Sequence, residues 1–302
     1  MLDLIILGSG PAGISAAIYA SRYGLNFIII GKDYGLAGVA GEIENYPGIY
    51  PIRGFELMQK FEEHAKKLGI EIAREEIAEL KKEQDGFIVK TTNNEYKAKC
   101  IIYALGGKKR KLGIENEEKY IGKGISYCAT CDAALYKNKI VGVIGGSNSA
   151  VGAALLLSNF ASKVYLIYRK EKLRAFPKLI EKLKTRENIE VITKATVEKL
   201  LGNDVLNGVV LEHNDQEKEI KLDGLFLELG HEPNSDLAKS LGIEVDDTNR
   251  IVVKEDMSTN IAGVFAAGDV TNGSNKFDQI VTAVAEGAIA AHSAYKFIEE
   301  TS

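Results

Sequence analysis

Short continuous apolar runs and longer segments with helical spacing follow one another from the start of the chain. Residues 4–7 and 27–30 are continuous apolar runs, and the segment between them is rich in alanine as far as Arg22. Short apolar runs bounded by glycine indicate buried strands, and the segment between them is long enough for a helix. The start of the chain therefore predicts a β-α-β unit.

The same pattern recurs in the middle of the chain. A strand, a turn of sequence GGSNSA, a helix and a second strand follow one another between residues 140 and 167. The spacing also matches, because 23 residues separate Gly8 from Gly31 and Gly145 from Tyr168. Two β-α-β units with matching spacing predict two dinucleotide-type folds in one chain.

The rest of the pattern predicts further short strands, more helices and no low-complexity linker, which indicates an α/β protein. Short connections near residues 111–115 and 231–236 are the expected domain boundaries. The predicted helices are the Ala-rich segment that follows GSGPAG and ends at Arg22, and the segments 55–68, 151–160 and 279–299. The predicted strands are 4–7, 27–30, 140–144, 164–167, 189–193, 208–211, 219–222, 225–229, 251–253 and 264–267, with strand-like runs within 70–92 and 95–103.

Composition and charge narrow the class of protein. The 302 residues are 45% hydrophobic and 26% charged, as expected of an ordinary globular protein. The net charge of −4 argues against nucleic acid or an anionic membrane as the main partner. The chain opens with MLDLIIL, which does not resemble a signal peptide, and no apolar run approaches a membrane span. We expect a cytoplasmic protein that binds neither membrane nor nucleic acid.

The turn GSGPAG, between the first strand and the first helix, has the glycine spacing of a dinucleotide fingerprint. Gly8 permits the tight turn, Gly10 leaves room for a pyrophosphate, and Gly13 lets helix and strand pack closely. The N-terminus of the following helix offers amides and a partial positive charge to phosphates. The acid that usually binds ribose is missing, because Gly31 and Lys32 end the second strand.

The second turn, GGSNSA, departs from the fingerprint. Ser147 stands where the second glycine belongs, so that a side chain would crowd the pyrophosphate. Beyond the second strand of this unit there is no acid, but Arg169, Lys170 and Arg174 cluster in YRKEKLRA. Basic groups in place of the acid are what the 2′-phosphate of NADP requires. A solvated charged surface is the alternative interpretation of the same three residues.

Two of the three cysteines, Cys128 and Cys131, form a single Cys-x-x-Cys pair in ISYCATCD. Structural zinc usually needs four ligands, and Cys100 lies apart in the apolar run CIIYAL while the four histidines are scattered. A disulfide closing so small a loop restricts the unfolded chain very little. The redox interpretation remains, because Cys-x-x-Cys lowers a thiol pKa and permits thiolate exchange.

Five segments in order resemble one family. They are GSGPAG, EIENYPG at residues 42–48, YALGG, ISYCATCD, and FAAGDV at residues 265–270 with a helix led by Gln279. Together they resemble the low-molecular-weight thioredoxin reductases, which are FAD-dependent disulfide reductases. The resemblance implies two three-layer Rossmann-like dinucleotide-binding domains, the second inserted into the first. Residues 1–112 and 234–302 would form the FAD domain, and residues 113–233 the NAD(P)H-type domain with the redox disulfide.

The resemblance also implies the cofactor sites. It places the carboxylate of Asp269 on the ribitol chain of FAD, and Asn45 and Gln279 near the flavin ring. The implied FAD residues are Gly8, Ser9, Gly10, Pro11, Ala12, Gly13, Gly31, Lys32, Asn45, Ala104, Gly106, Gly268, Asp269, Gln279 and Ile280. The implied NADPH residues are Gly145, Ser147, Asn148, Ser149, Arg169, Lys170 and Arg174.

The implied activity passes electrons from NADPH through FAD and the cysteine pair to thioredoxin or a glutaredoxin-like protein. By resemblance Cys131 faces the flavin, Cys128 is the interchange thiol, and Asp132 protonates a departing thiolate. Asp132 is also expected to cap the helix that follows it. The family's members are homodimers, and a hinge rotation of one domain against the other exposes their cysteine pair to the protein substrate.

Three departures fall in the pyridine-nucleotide region. Ser147 replaces a glycine, Gly152 stands where the family usually has glutamate, and Tyr168 replaces a histidine. Related enzymes without these motifs take electrons from ferredoxin or a reduced deazaflavin. A non-pyridine donor therefore stays open beside NADPH, as do a dithiol oxidase and a flavin-bound redox sensor.

Overall fold

The chain forms two compact units in the computed structural model, which describes residues 1–214 and 216–301. The first unit combines Met1–Lys108 with the residues from Glu232 onward, and the second unit is Lys109–His231. The sequence predicts boundaries after residues 112 and 233. Within the described ranges, no helix combines the length and apolar character needed to cross a membrane.

The strands and helices have the following bounds. The strands are β1 Leu2–Leu7, β2 Phe27–Ile30, β3 Glu42–Ile43, β4 Ile52–Arg53, β5 Ile72–Ala73, β6 Ile77–Glu83, β7 Gly86–Thr91, β8 Glu95–Tyr103, β9 Gly107–Lys109, β10 Ile125–Ser126, β11 Ile140–Ile144, β12 Lys163–Tyr168, β13 Ile189–Thr193, β14 Ala195–Gly202, β15 Leu206–His213, β16 Gln216–Lys221, β17 Gly224–Leu227, β18 His231–Pro233 and β19 Val264–Ala266. The α-helices are α1 Pro11–Arg22, α2 Gly35–Gly38, α3 Gly54–Lys67, α4 Glu117–Tyr120, α5 Ala129–Asp132, α6 Asn148–Leu157, α7 Pro177–Lys184, α8 Asp236–Ser240 and α9 Ile280–Thr301. Short 3₁₀ helices lie at Ala133–Tyr136 and Ser274–Lys276.

A mixed sheet forms the centre of the first unit. Its order is β5-β2-β1-β8-β7-β6, with β19 also paired to β8. The pairs made by β1 with β2 and β8 are parallel, whereas β6, β7 and β8 pair antiparallel. Strand β1 is fully buried from Leu4 to Leu7 because apolar side chains cover both faces of the sheet. Helices α1 and α9 pack on one face.

A parallel sheet in the order β10-β17-β11-β12-β13 forms the centre of the second unit. Apolar residues of α6 and α7 cover one face of this sheet. The antiparallel sheet β14-β15-β16 covers the other face, where Val209 and Leu211 join a core with Ile167 and Leu225. The glycine turns after β1 and β11 therefore lie at the carboxyl ends of parallel strands, where such sheets bind ligands.

The predicted α/β class with two Rossmann-like units, one inserted into the other, is confirmed. The strand predicted at 251–253 is wrong, because Ile251 makes only isolated bridges, to Val245 and Thr271. Strand β14 escaped prediction because a register shift between Val197 and Lys199 interrupts its alternation. Helix α6 begins at Asn148, three positions before the predicted start.

Candidate functional site

The Cys-x-x-Cys segment begins where strand β10 ends. Cys128 and Cys131 form a disulfide, and Cys128 is the N-cap residue of the short helix α5. Cys128 is half-buried and Cys131 is exposed. The fold therefore holds the pair in a closed disulfide in which one of the two cysteines is exposed to solvent, as disulfide exchange with a partner requires.

Two donors surround the sulfur of Cys128. The backbone amide of Cys131 donates to Cys128 Sγ at 3.2 Å, and Thr130 Oγ1 lies 3.5 Å from the same sulfur. Donors of this kind favour a negatively charged sulfur, because they stabilise the thiolate more than the thiol. The surroundings thus suit Cys128 to leave or attack as a thiolate once the disulfide opens.

Asp132 is connected to the backbone of Cys128 through Ser126, which no motif in the sequence indicates. Ser126 donates its hydroxyl to Asp132 Oδ2 at 2.6 Å and accepts the amide of Cys128 at 3.0 Å. Ser126 is 6% exposed, so the relay is protected from water. The expected side-chain cap by Asp132 is wrong, because its carboxylate bonds Ser126 and makes no cap to the 3₁₀ helix Ala133–Tyr136.

Removing the Ser126 hydroxyl should slow disulfide reduction. A hydrogen bond to a carboxylate is worth ~1.5–3 kcal/mol, so Ser126→Ala should lower kcat by roughly 10- to 100-fold while the disulfide still forms. Ser162→Ala is the control, because within the described ranges the hydroxyl of Ser162 bonds only the carbonyl of Lys139, at 3.0 Å. Equal rates for both variants would refute a role for Ser126.

Cys100 plays no part in this chemistry. Its side chain is 0% exposed within β8, and burial raises the pKa of its thiol to about 12. After reduction, iodoacetamide at pH 8 should label Cys128 and Cys131 within minutes and leave Cys100 unlabelled until the protein unfolds. Peptide mass spectrometry with and without denaturant checks this, and rapid native labelling of Cys100 would contradict it.

Close glycine packing builds the first dinucleotide turn. A Cβ on Gly8 would overlap the carbonyl of Ala104, one on Gly13 would overlap the carbonyl of Gly8, and one on Gly31 would overlap Ser9 Oγ. These contacts bring five of the predicted FAD residues together at the ends of β1, β2 and β8. The turn leads into α1, whose first residue is Pro11 and whose amides face the turn.

Gly10 differs from the other glycines of this turn. A Cβ there would meet only the carbonyl oxygen of Tyr34, at 3.9 Å. Gly10 has φ −75°, which any residue adopts. Neither packing nor backbone conformation therefore requires glycine at this position, whereas a phosphate resting on the N-terminus of α1 does. This open position fits a dinucleotide.

The predicted second FAD motif adjoins the first turn. A Cβ on Gly268 would lie 3.1 Å from Ala12 Cβ. Glu286, 4% exposed on α9, accepts the amide of Gly268 at 2.7 Å and the hydroxyl of Thr271 at 3.1 Å. Contacts from α9 thus fix the backbone beside Asp269.

The guanidinium of Arg250 also stabilises the loop that contains Asp269. Arg250 Nη1 donates to the carbonyls of Asp269 and Thr271 at 2.9 and 3.1 Å. Both Nη atoms of Arg250 bond the carboxylate of Asp278, at 2.8 and 2.7 Å, and both side chains are largely buried. Neither Arg250 nor Glu286 was predicted from sequence.

The two predicted flavin-ring residues meet directly. Asn45 Nδ2 donates to Gln279 Oε1 at 2.7 Å across 234 positions of sequence. Ile280 begins α9, and the carbonyl of Gly106 accepts the amide of Asn234. The side chain of Lys32, another predicted FAD residue, instead pairs through its ammonium with Glu76 at 3.0 Å on an exposed surface.

Arg74 is a further residue beside the first turn. Its Nη1 lies 3.2 Å from Ser9 Oγ, and its Nη2 pairs with Glu62 at 2.7 Å. Tyr34 also donates its hydroxyl to Glu62. The guanidinium places a positive charge near the glycine turn, where a pyrophosphate would lie. No spacing in the sequence relates Arg74 to the turn.

In the second dinucleotide turn, GGSNSA, a tyrosine side chain packs on the glycine-rich backbone, unlike in the first turn. The ring of Tyr168 packs on Gly146, whose ideal Cβ would lie 2.5 Å from the ring carbon that carries the hydroxyl. Tyr168 is 5% exposed, and its hydroxyl has no hydrogen-bond partner among the described residues. In the first turn the matching positions are Ser9 and Gly31. At the end of β12 the tyrosine ring therefore packs against a glycine of the turn, whereas at the end of β2 it is Gly31 that lies against the side chain of Ser9.

The structure brings the predicted NADPH residues to one edge of the second sheet. Arg174 donates its amide to the carbonyl of Gly146 at 2.6 Å, and Asn148 Oδ1 accepts the amide of Phe176 at 2.8 Å. Ser147 is the N-cap residue of α6 without a side-chain cap, and Gly145 precedes it. Ser149, Arg169, Lys170 and Arg174 are exposed around this turn.

Comparisons with known proteins give a consistent result. The family model described as pyridine nucleotide-disulphide oxidoreductase matches residues 2–287. The thioredoxin reductase of Bacillus subtilis (strain 168) is 39% identical over 99% of this chain and 95% of its own length. The solved thioredoxin reductase of Lactococcus lactis is 37% identical with TM-score 0.92, covering 99% of this chain and 100% of its own. That of T. acidophilum is 37% identical with TM-score 0.90, covering 100% and 99%. The resemblance inferred from the five motifs is confirmed.

Proposed function

The chain belongs to the pyridine nucleotide-disulphide oxidoreductase family, and from that premise we propose that it is an FAD-dependent thioredoxin-disulfide reductase. Electrons pass from NADPH through FAD and the Cys128–Cys131 pair to thioredoxin or a thioredoxin-like protein. One observation carries the proposal. The only disulfide among the described residues lies in the predicted redox segment, with Cys131 exposed and two donors beside the sulfur of Cys128.

The residues of the second unit account for the exchange steps. In the dithiol form, the thiolate of Cys128 attacks the disulfide of thioredoxin, forming a mixed disulfide and releasing one thioredoxin thiolate. Asp132, oriented by Ser126, protonates that departing thiolate. Cys131 then attacks the sulfur of Cys128, which releases the second thiolate and restores the Cys128–Cys131 disulfide.

FAD fits the first unit. The turn from Gly8 to Gly13 and the N-terminus of α1 would hold its pyrophosphate, and the open position at Gly10 supports this. The Asn45–Gln279 pair and the N-terminus of α9 would contact the flavin ring, and Asp269 the ribitol chain. When bound, FAD accepts two electrons and passes them to a disulfide.

NADPH is the proposed donor because Arg169, Lys170 and Arg174 are exposed beside the second turn and suit a 2′-phosphate.

A specific observation favours a second candidate, the same reductase fed by ferredoxin or a deazaflavin. Ser147 adds a side chain where the pyrophosphate would approach, and the ring of Tyr168 covers Gly146. Both features reduce the space for a pyridine dinucleotide.

The remaining parts of the proposal are the setting and the assembly. We place the enzyme in the cytoplasm, where thiol-disulfide pairs of this kind are catalytic rather than structural. A homodimer is proposed from the family resemblance. Sedimentation of the flavin-loaded protein at micromolar concentration tests the homodimer directly, and a monomer of about 33 kDa would reject it.

Anaerobic titration tests the donor and the acceptor separately. Flavin absorbance is followed during addition of NADPH, NADH, reduced ferredoxin or reduced deazaflavin, and free thiols on added thioredoxin are counted at the end. Bleaching by NADPH with stoichiometric thioredoxin thiols supports the proposal. Bleaching only by ferredoxin or deazaflavin selects the second candidate. Flavin bleaching without thioredoxin thiols, or peroxide formation from a small dithiol in air, would refute the reductase function.

A further inference from the structure

Tyr127, the residue immediately before Cys128, is anchored at both of its ends. Its hydroxyl donates to Glu117 Oε1 at 2.5 Å. Its backbone carbonyl accepts a hydrogen bond from the ammonium of Lys109. The side chain is partly buried, and burial together with the bond to Glu117 raises the pKa of the phenol, so the hydroxyl stays a donor. Neither anchor involves the cysteines themselves.

Glu117 connects Tyr127 to the first residues of the second unit. Its carboxylate is 4% exposed and also accepts the amides of Leu112 and Gly113, at 2.9 and 2.8 Å. Three donors on one buried carboxylate make a rigid arrangement, because each bond would be costly to leave unmade. The segment from residue 109 to 113, by which the chain enters the second unit, is therefore bonded to the residue beside Cys128.

Lys109 forms the second anchor from the same entry segment. Burial lowers the pKa of its ammonium, and the nearby carboxyl of Glu228 has its pKa raised by burial. Tyr127 is thus bonded to Lys109, which precedes Leu112 and Gly113 in the sequence, and to Glu117, which follows them. The position of the Cys128 backbone is thus set by the entry segment as well as by α5.

We propose that Tyr127 is a positioning residue that holds Cys128 where its sulfur can close the disulfide with Cys131. The proposal rests on the redox function proposed above but concerns the disulfide equilibrium alone. The structure contains the closed disulfide with both anchors formed. Without the anchors, the segment before Cys128 gains conformational freedom that ring closure must remove. Loss of an anchor therefore favours the dithiol.

The test is the thiol-disulfide equilibrium with dithiothreitol, measured on the purified flavin-loaded protein without thioredoxin or nucleotide. Dithiothreitol gives two electrons and two protons to the Cys128–Cys131 disulfide and becomes the cyclic disulfide. The reduced fraction is read by alkylation and peptide mass spectrometry. We expect Tyr127→Phe, which removes only the hydroxyl, to shift the equilibrium constant roughly tenfold toward the dithiol, the effect of losing one charge-assisted bond. Lys109→Met should shift it in the same direction.

Tyr120→Phe is the matched control. Tyr120 is 3% exposed in the same unit, and its hydroxyl donates to the carbonyl of Gly202 at 2.7 Å, away from the redox segment. This variant loses a buried tyrosine hydrogen bond to a neutral carbonyl in the same unit and should keep the equilibrium of the unmodified protein. Equal constants for all variants, or equal shifts in Tyr127→Phe and Tyr120→Phe, would overturn the proposal. Absence of thioredoxin turnover would count against the proposed function only, because the equilibrium contains no thioredoxin.

Discussion

Replacing Cys131 with serine should abolish disulfide reduction while the protein keeps its flavin. A single thiol at position 128 cannot store two electrons as a disulfide, so turnover with thioredoxin should fall roughly 10⁴-fold or more, to background. Flavin retention is expected because every residue of the FAD cluster belongs to the first unit. The measurements are the flavin spectrum after gel filtration and the rate of thioredoxin thiol formation.

Two further variants complete this prediction. Cys128→Ser should be equally inactive, because in the proposed mechanism that sulfur exchanges with the protein substrate. Cys100→Ala should retain activity, since Cys100 is buried in β8 and its thiol has a pKa raised to about 12 by burial. Thioredoxin turnover by Cys131→Ser, or inactivity of folded Cys100→Ala, would contradict the assignment of the redox pair.

The second large effect concerns Gly10. Gly10→Ala should leave the stability of the flavin-free protein unchanged, because the new Cβ meets only the carbonyl of Tyr34, at 3.9 Å. The same methyl group would stand where the pyrophosphate approaches the N-terminus of α1. We expect FAD binding to weaken by roughly 100-fold, about 2.8 kcal/mol. Titration of the flavin-free protein with FAD, followed by flavin fluorescence, measures the change.

Gly13→Ala separates packing from binding at the same turn. A Cβ on Gly13 would overlap the carbonyl of Gly8, so the first unit must distort whether or not FAD is present. Overpacking of this kind costs ~1–3 kcal/mol of unfolding free energy. Denaturant unfolding should thus be unchanged in Gly10→Ala and shifted in Gly13→Ala. Unaltered FAD affinity in Gly10→Ala would mean that the cofactor does not rest on this turn.

Patterns of glycine and apolar residues predicted the architecture well, because both obey local geometric rules. Gly8 and Gly13 are required by contacts within one turn, and that requirement is visible in their spacing. The prediction that Asn45 and Gln279 lie near one ring came from motif resemblance, and the structure joins them by a hydrogen bond. The strand predicted at 251–253 failed because an apolar run indicates burial without specifying strand pairing.

The residues that support the site were beyond prediction from sequence. Ser126 and Glu117 are ordinary residue types, and only folding brings each beside its partner. Arg250 reaches Asp278 across 28 positions, at a spacing that matches no helix or strand period. Polar residues of this kind act through contacts that exist only in the folded chain. The pattern of apolar and polar positions along the chain does not specify these contacts.

The 234 positions between Asn45 and Gln279 also bear on biosynthesis. A ribosome releases the amino-terminal part of the first unit long before α9 exists, whereas Lys109–His231 emerges as one continuous stretch. The second unit can therefore finish folding while the first unit still lacks helix α9. Until α9 has been synthesised, the Ala-rich face of α1 that packs against it stays uncovered, and Asn45 lacks the side chain of Gln279 as its partner.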